Sequence, residues 1–498
     1  MKGIKQYISE NVIASEEKQR YKIERSTSRK ILLVTPTVQR SEYKTPYLGI
    51  AYVGAALKRV GHEVTFLDGC LSQIDADTIG DVVTYLKPDW VGVAAFTLQY
   101  PAARRILRSV KRMNSDITTM LGSHHASALS EYTLKETPEI DFIIAGEGEV
   151  AFPMLIEALS TEEKALGRVP GLAFRENGGV VVNPTAHIGD IDSLEYPWHI
   201  VNPLDYAKGM GHGFMTKRPP AAPVISSRGC PYRCSYCAGP LAAGRKLRLR
   251  DPRKFVDEIE YLTTNFGIRE IQIIDDNFTF YPEHATQVCR EILRRGLDIA
   301  WSLPNGIRAD KADYALLKLM REAGCYYLAY GIEFGSERML RLVHKGLDLD
   351  KAKDSVVQAA KLGYITQGFF MMGHPQEKRE DVLATIEVAL SVPLDRISVN
   401  TVVPIPGTAI FQHYLEKGYL DMANIDWEQF AGPQFIPRTE FLDHKDLMGL
   451  LRAAYVRFYL NPRRILRFLC KMRSLTQIKG LWAGAMTVFT SVVRRGKW

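Results

Sequence analysis

Cysteine is scarce, long apolar runs are missing, and the amino-terminal stretch has no greasy core; each absence removes a class of protein. Seven cysteines in 498 residues, three of them in one loop, do not form the disulfide framework of a small secreted domain and suit a reducing cytosol. No run reaches the roughly 18 apolar residues of a spanning helix. Met1 to Lys30 is polar and mixed in charge, unlike a signal peptide. The expectation is therefore a cytoplasmic protein. At 46% hydrophobic and 24% charged it is a folded chain, and it is too long for one core, so two or three domains are expected. The net charge of +8 could suggest nucleic acid, but much of the excess sits in the last forty residues, and no nucleic-acid partner is expected.

What is there begins with strands alternating with helices. Lys30 to Pro36, Val64 to Asp68, Asp89 to Phe96, Thr118 to Gly122 and Asp141 to Ala145 read as short buried strands, with helices after Pro46 and from about Pro101 to Met113. That alternation predicts a doubly wound parallel sheet over 30–158, behind a polar extension at 1–29. Ligands of such sheets bind beyond the carboxyl ends of the strands, here Pro36 to Arg40, Thr97 to Tyr100, Gly122 to His125 and Gly146 to Glu149. A linker over 159–222 carries a hairpin turning at Asn177-Gly178-Gly179.

A second series comes next, with strands at Val224–Ser227, Glu270–Asp275, Ile299–Leu303, Tyr327–Ile332, Thr366–Met371 and Arg396–Val402. Six consecutive βα pairs predict a curved, partial (β/α)6 barrel over 223–412, with its chemistry at the carboxyl ends of the strands. At that end of the first strand stands R-G-C-P-Y-R-C-S-Y-C-A-G-P, with thiols at Cys230, Cys234 and Cys237. A four-iron cluster takes four ligands, usually thiolates, and this loop offers three, which leaves one iron open. Structural zinc is the alternative and would want a further close pair of Cys or His, which is not present at finger spacing. Cys289 and Cys325 sit in apolar runs and read as core thiols.

The C-x3-C-x2-C loop, with Tyr236 before its last cysteine, resembles the signature of the radical S-adenosylmethionine (SAM) enzymes. In that family the SAM amino and carboxylate groups occupy the open iron of a [4Fe-4S] cluster, and one electron splits SAM to a 5′-deoxyadenosyl radical. The later strand ends are similar to the family's SAM-contact segments. Asp275, Asp276 and Asn277 match the segment near the SAM amino group or the substrate, and Glu333 and Ser336 match a G-I-E-x-G-S segment facing ribose and methionyl groups. The resemblance also places Gly373 and Tyr236 near the adenine and gives Arg308 a carboxylate to pair with.

The first domain resembles the cobalamin-binding domain that precedes one class of these barrels, through P-Y-L-G-I-A-Y, D-W-V-G-V-A-A-F-T and G-S-H-H ahead of D-F-I-I-A-G-E-G-E. It departs in having no D-x-H-x-x-G stretch and in Ser123 replacing a glycine, so no histidine from that motif reaches cobalt. Thr97, Gly122, His124, Gly146 and Glu147 are the residues placed at the cobalamin, with His124 and His125 lining or capping the site; Glu147 and Glu149 also read as helix N-terminal caps.

The resemblance implies a cobalamin-dependent radical SAM enzyme that functionalises an unactivated carbon by C-methylation, cyclisation or rearrangement. It implies three cofactors, the cluster, SAM and cobalamin, and an external one-electron donor of the flavodoxin or ferredoxin type. Three alternatives stand beside it: a methylthiotransferase acting on RNA, which would carry a further cysteine trio where this chain has only Cys70, a non-catalytic electron-transfer protein, and a radical SAM enzyme whose first domain is a partner-binding module empty of cobalamin.

Residues 413–498 read as a mostly helical region. Within it, Tyr419 to Phe435 reads as a cap on the substrate side or as ordinary packing. The tail from Asn461 is basic, lacks Asp and Glu, and has an apolar stretch from Leu481 to Val493, the composition of a helix lying in a membrane interface, with docking on a partner helix as the alternative. That predicts peripheral contact at the inner membrane face and tilts the substrate toward a hydrophobic small molecule, an isoprenoid lipid or a tetrapyrrole.

Overall fold

The computed structural model describes residues 28–37, 44–161, 165–207, 216–430 and 435–471. By internal contacts it forms two units. The first comprises residues up to Tyr206 with Ala238–Gly244 and Asn424–Gly432; the second comprises the rest. Among the described residues no helix is long and apolar enough to cross a membrane.

The first unit is a seven-stranded sheet built from β1 (Lys30–Thr35), β2 (Glu63–Asp68), β3 (Trp90–Ala94), β4 (Thr118–Gly122), β5 (Phe142–Ile144), β6 (Leu172–Glu176) and β7 (Gly179–Val182). The order is β2-β1-β3-β4-β5-β6-β7, parallel through β5 and antiparallel beyond it. The sheet and the helix Gly148–Ser160 share one core, with Ile31, Leu33, Trp90, Phe152 and Leu155 almost free of solvent. Winding reverses between β1 and β3, and this opens a crevice beyond their carboxyl ends. The hairpin turns through Asn177 and Gly178 at positive φ, as a two-residue turn requires, and it extends this sheet rather than hanging free. Arg175 fixes it there by donating to the carbonyls of Leu134, Thr137 and Ile140.

The second unit has a short ribbon, β9 (Ser227–Arg228) with β10 (Arg248–Leu249), beside a six-stranded parallel sheet. Its strands are β8 (Ala221–Val224), β11 (Glu270–Ile273), β12 (Ala300–Ile307), β13 (Cys325–Glu333), β14 (Ile365–Met372) and β15 (Arg396–Thr401), in the order β15-β14-β13-β12-β11-β8. Each strand lies beside the next in sequence, the winding of an open barrel. β8 ends earlier than the residue pattern suggests because Ser226 leaves the ladder. Its N–H and hydroxyl both donate to the buried Asp275 carboxylate, at 2.7 and 2.6 Å, and Ser227 adds a third bond at 2.6 Å.

The open edge at β15 is covered by two side chains. On the helix His444–Tyr459, Tyr455 accepts from Val399 N and donates to Val399 O, and Tyr459 does the same with Ile397. Four residues along a helix advance about 6 Å and two along a strand about 6.6 Å, so stacked phenols at i and i+4 keep step with alternate strand residues. They stand in for a seventh strand and blunt the edge. At the amino ends of the strands, Phe468 of the helix Pro462–Lys471 packs with Tyr326, Tyr327 and Ile365.

Candidate functional site

In the second unit the cysteine loop leaves the ribbon through Gly229, at φ +92°, and folds back on itself where Cys237 N donates to Cys234 O at 3.1 Å. The three thiols are free; Cys230 and Cys234 are half-buried and Cys237 is exposed. Among the described residues no three His, Cys, Asp or Glu side chains converge as ligands of a single ion. Three separated, accessible thiols on one loop suit a cluster, in which each thiolate takes its own iron, better than zinc, which needs convergent ligands.

Two cations hold this loop. Arg308, just after β12, lies 3.8 Å over the Tyr232 ring, donates to the carbonyls of Lys345 and Gly346 at 2.6 Å each, and pairs with Asp310 at 3.0 Å. Lys345 donates to the Tyr236 phenol at 3.3 Å and to Glu333 Oε1 at 3.2 Å. Ser235 N also donates to Val343 O, so the 343–346 segment clasps the loop from Tyr232 to Tyr236. No residue pattern flagged Lys345, because a lysine beside a helix end is ordinary until the fold brings it to a carboxylate. A bulge at the end of β13, with Glu333 at φ +68°, aims that carboxylate at the clasp.

The other strand-end residues fall into two groups. Asp276 and Asn277 follow β11. The Asp276 side chain is exposed yet sits in a recess whose walls push its carboxyl up, with Asp275 adding to the shift. Asn277 is buried and its Oδ1 accepts no hydrogen bond, an orphan acceptor suited to an amino group. Asp275, by contrast, is spent on Ser226 and Ser227. Ser336 caps its helix by accepting from Met339 N and donates to Asp381 at 2.6 Å. Gly373 stands at φ +88°, where a Cβ would strike Pro437 and Leu447, and its N–H donates to Glu377 at 2.6 Å. Burial pushes the Tyr236 phenol and the Cys230 thiol up from their usual ranges, the phenol further through the Glu333 charge.

In the first unit the ends of β3 and β4 present small or neutral groups. Ser123 takes the conformation of the glycine it replaces, φ +79° and ψ −165°, and the helix His124–Ala128 starts from it. His124 stacks on the exposed Phe96 ring at 4.7 Å, and burial lowers its pKa to about 4. His125 is fully buried against Tyr100 at 3.8 Å and Trp427 at 4.9 Å, and burial lowers it to about 3, so it packs the core. Trp427, in the stretch read as a cap, is thus a core residue of this unit, and its neighbour Glu428 pairs with Arg105. Thr97 is buried and reaches the His125 ring at 3.4 Å. Gly122 has almost nothing within reach of a Cβ, and Gly146, at φ +80°, donates its N–H to Ser127. Glu147 accepts from Ile188 N at 2.7 Å and makes no side-chain cap to its own helix. Small residues, neutral imidazole and exposed Phe96 and Leu98 make up most of a ledge here, with the Glu147 carboxylate held by Ile188 N, and they suit a large planar ligand.

Two βα units, one with a largely neutral ledge and one with a thiol loop braced at its strand ends, define an iron–sulfur enzyme with a second cofactor domain. Similarity to known proteins gives the particular family. The B12 binding domain profile matches residues 34–156 and the radical SAM superfamily profile residues 224–389. The chain is 30% identical over 444 residues to an uncharacterized methyltransferase of Pyrococcus horikoshii, covering 88% of this chain and 94% of that protein. It is 30% identical over 421 residues to the anaerobic magnesium-protoporphyrin IX monomethyl ester cyclase of Rubrivivax gelatinosus, covering 84% and 74%. It is 26% identical over 405 residues to the hopanoid C-3 methylase of Methylococcus capsulatus, covering 79% and 74%. The fold matches the radical SAM methyltransferase TsrM of Kitasatospora setae with TM-score 0.65 at 22% identity, covering 78% of each chain. It matches the cobalamin-dependent radical enzyme OxsB with TM-score 0.71 at 16% identity, covering 96% of this chain and 75% of that one. The chain belongs to the cobalamin-binding radical SAM enzymes, and its cofactors are a [4Fe-4S] cluster, SAM and cobalamin.

Proposed function

We propose that this enzyme removes a hydrogen from an unactivated carbon of a hydrophobic small molecule and then methylates that carbon or closes a ring on it. The observation that carries the reading is the clasp: Lys345 and Arg308 fix the cysteine loop at the mouth of the barrel, where the sequence ends five other strands in polar residues. Relatives that act on a hopanoid and on a magnesium porphyrin support the substrate class. When bound, the cluster and SAM supply the hydrogen-abstracting radical and cobalamin carries a methyl group.

The chain's own residues hold Cys230, Cys234 and Cys237 for the irons. Asn277 and Asp276 offer acceptors for an amino group, Arg308 and Lys345 set positive charge beside the thiolates, and Gly373 keeps one wall flat. On the first unit, Thr97, Gly122, His124, Gly146 and Glu147 are the residues we assign to the cobalamin ledge. An external one-electron donor of the flavodoxin or ferredoxin type belongs to the same reading, as does peripheral contact with a membrane from which a hydrophobic substrate is drawn. The test is anaerobic purification with iron reconstitution, followed by incubation with SAM and reductant. Formation of 5′-deoxyadenosine together with co-purified cobalamin is expected; absence of 5′-deoxyadenosine would remove the proposal.

A further inference from the structure

The helix Pro462–Lys471 has its polarity reversed. Three of its four cations point inward, Arg463 alone being exposed: Arg464 donates to the carbonyls of Leu390, Val392 and Leu394, Arg467 donates to Leu394 O and pairs with Asp395 at 3.2 Å, and Lys471 donates to Tyr364 O at 2.6 Å and pairs with Asp395 at 2.7 Å. With Phe468 buried between the strand ends, these bonds seat the helix firmly. Its apolar side chains point outward, with Ile465 44%, Leu466 63% and Leu469 49% exposed and Leu460, just before it, 73% exposed. A surface helix normally shows the opposite arrangement. Three aliphatic side chains on one outer face, with Leu460 exposed just before the helix, call for an apolar occupant.

The composition of the chain's carboxyl-terminal end identifies that occupant. The last 39 residues hold nine Lys and Arg and no Asp or Glu, more positive charge than the whole chain's net +8. The 27 residues after Lys471, which lie outside the described residues, include the apolar stretch Leu481 to Val493 and end in Arg494-Arg495-Gly496-Lys497-Trp498. A nucleic acid would want the cations of the seated helix on its outer face, and three of the four are turned in. An anionic lipid surface takes both features, aliphatic side chains into the acyl boundary and basic residues among the headgroups.

We infer that the outer face of this helix, through Ile465, Leu466 and Leu469 and with the exposed Leu460 just before it, docks the enzyme on an anionic membrane surface, with the basic end of the chain as the second attachment. The helix covers the amino ends of the barrel strands, the end away from the cysteine loop. Docking there anchors the enzyme and leaves the mouth of the barrel free. Membrane docking rests on the hydrophobic substrate proposed above for its rationale, but the two fail separately, because vesicle binding needs no turnover.

The reconstituted full-length enzyme is sedimented with vesicles of phosphatidylcholine alone and with vesicles containing phosphatidylglycerol. The expected result is pelleting with the anionic vesicles, weakened by salt. L466E/L469E should lower the partition coefficient about 100-fold, at about 1.5 kcal/mol for each leucine. The exposure of both leucines predicts unchanged thermal midpoint and 5′-deoxyadenosine formation in that variant. R494E/R495E should weaken only the anionic component. Wild-type enzyme that stays in solution with anionic vesicles, or L466E/L469E that pellets as well as wild type, overturns the inference. So does L466E/L469E turning a dimer into a monomer with vesicle binding intact, which would give the face to a second copy. Retention of the enzyme by RNA in competition with the vesicles also overturns it.

Discussion

The two units are both built on parallel βα strands, five in the first sheet and six in the second, and they use their carboxyl ends in opposite ways. In the first, the order β2-β1-β3 reverses the winding, and the ends are lined by Gly122, Ser123, Gly146 and the His124 imidazole, which burial keeps neutral. In the second, strands follow one another in sequence and the ends carry charge, with Lys345 against Glu333 and Arg308 against Asp310. A planar macrocycle is held by area and shape, so its ledge needs small neutral residues. Thiolates and a zwitterionic ligand need fixed opposite charge at short range, which desolvated surroundings strengthen.

That contrast predicts where damage goes. The largest effect is expected from Cys230→Ala, Cys234→Ala or Cys237→Ala. Each should remove most of the roughly four irons per chain and all turnover, while cobalamin retention, measured spectrally in the same preparation, stays at the wild-type level. Loss of cobalamin along with iron would break the separation of the two sites.

Lys345→Met should leave iron content near normal and slow 5′-deoxyadenosine formation about 100-fold, the scale set by a displacement of about 1 Å in a reacting group. Its signature is a raised KM for SAM and an altered signal of the reduced cluster, with Lys345→Arg recovering part of the rate. A merely structural lysine would change the thermal midpoint and neither of these.

Removing the hydroxyls of the edge pair, Tyr455→Phe with Tyr459→Phe, leaves four backbone groups of β15 to solvent and should cost about 2 kcal/mol in denaturant unfolding of the second unit. No change would mean that the phenols merely pack.

A smaller effect concerns pH. Burial pushes the Glu377 carboxyl from its ordinary 4.5 up to about 8, although Gly373 N and His374 N donate to it. The folded chain therefore holds a proton that the unfolded chain has already lost. That contribution to stability is complete below about 4.5 and disappears as the pH rises through about 8. Glu377→Gln keeps an acceptor and cannot ionise, so its thermal midpoint should fall less than that of wild type across this window. Parallel curves would show that Glu377 does not titrate there.

Much of this was legible in the residues. All five parallel strands of the first sheet, the six of the second and the turn at Asn177-Gly178 come from apolar runs bounded by Gly and Pro, and the cysteine loop comes from spacing. What escaped is what depends on partners distant in sequence. The end of β8 is set by Asp275, 49 residues beyond Ser226. The hairpin joins the first sheet by pairing β6 with β5, which lies before the helix Gly148–Ser160 in the chain, with Arg175 bonded to carbonyls 35 to 41 residues before it, and the role of Lys345 exists only because Tyr236 lies 109 residues before it. His125, read with His124 as a capping residue, is enclosed by Tyr100 and by Trp427 from a far later segment. The inward cations of Pro462–Lys471 were legible as a basic stretch but not as anchors, since their acceptors are helix-end and loop carbonyls.

The most direct test of the central claim is Mössbauer spectroscopy of the iron-57-reconstituted enzyme before and after addition of SAM. Three protein thiolates and one open iron predict a four-iron cluster in which one iron out of four shifts when SAM binds. A spectrum with no cluster, or one in which all four irons are unmoved by SAM, would contradict the account.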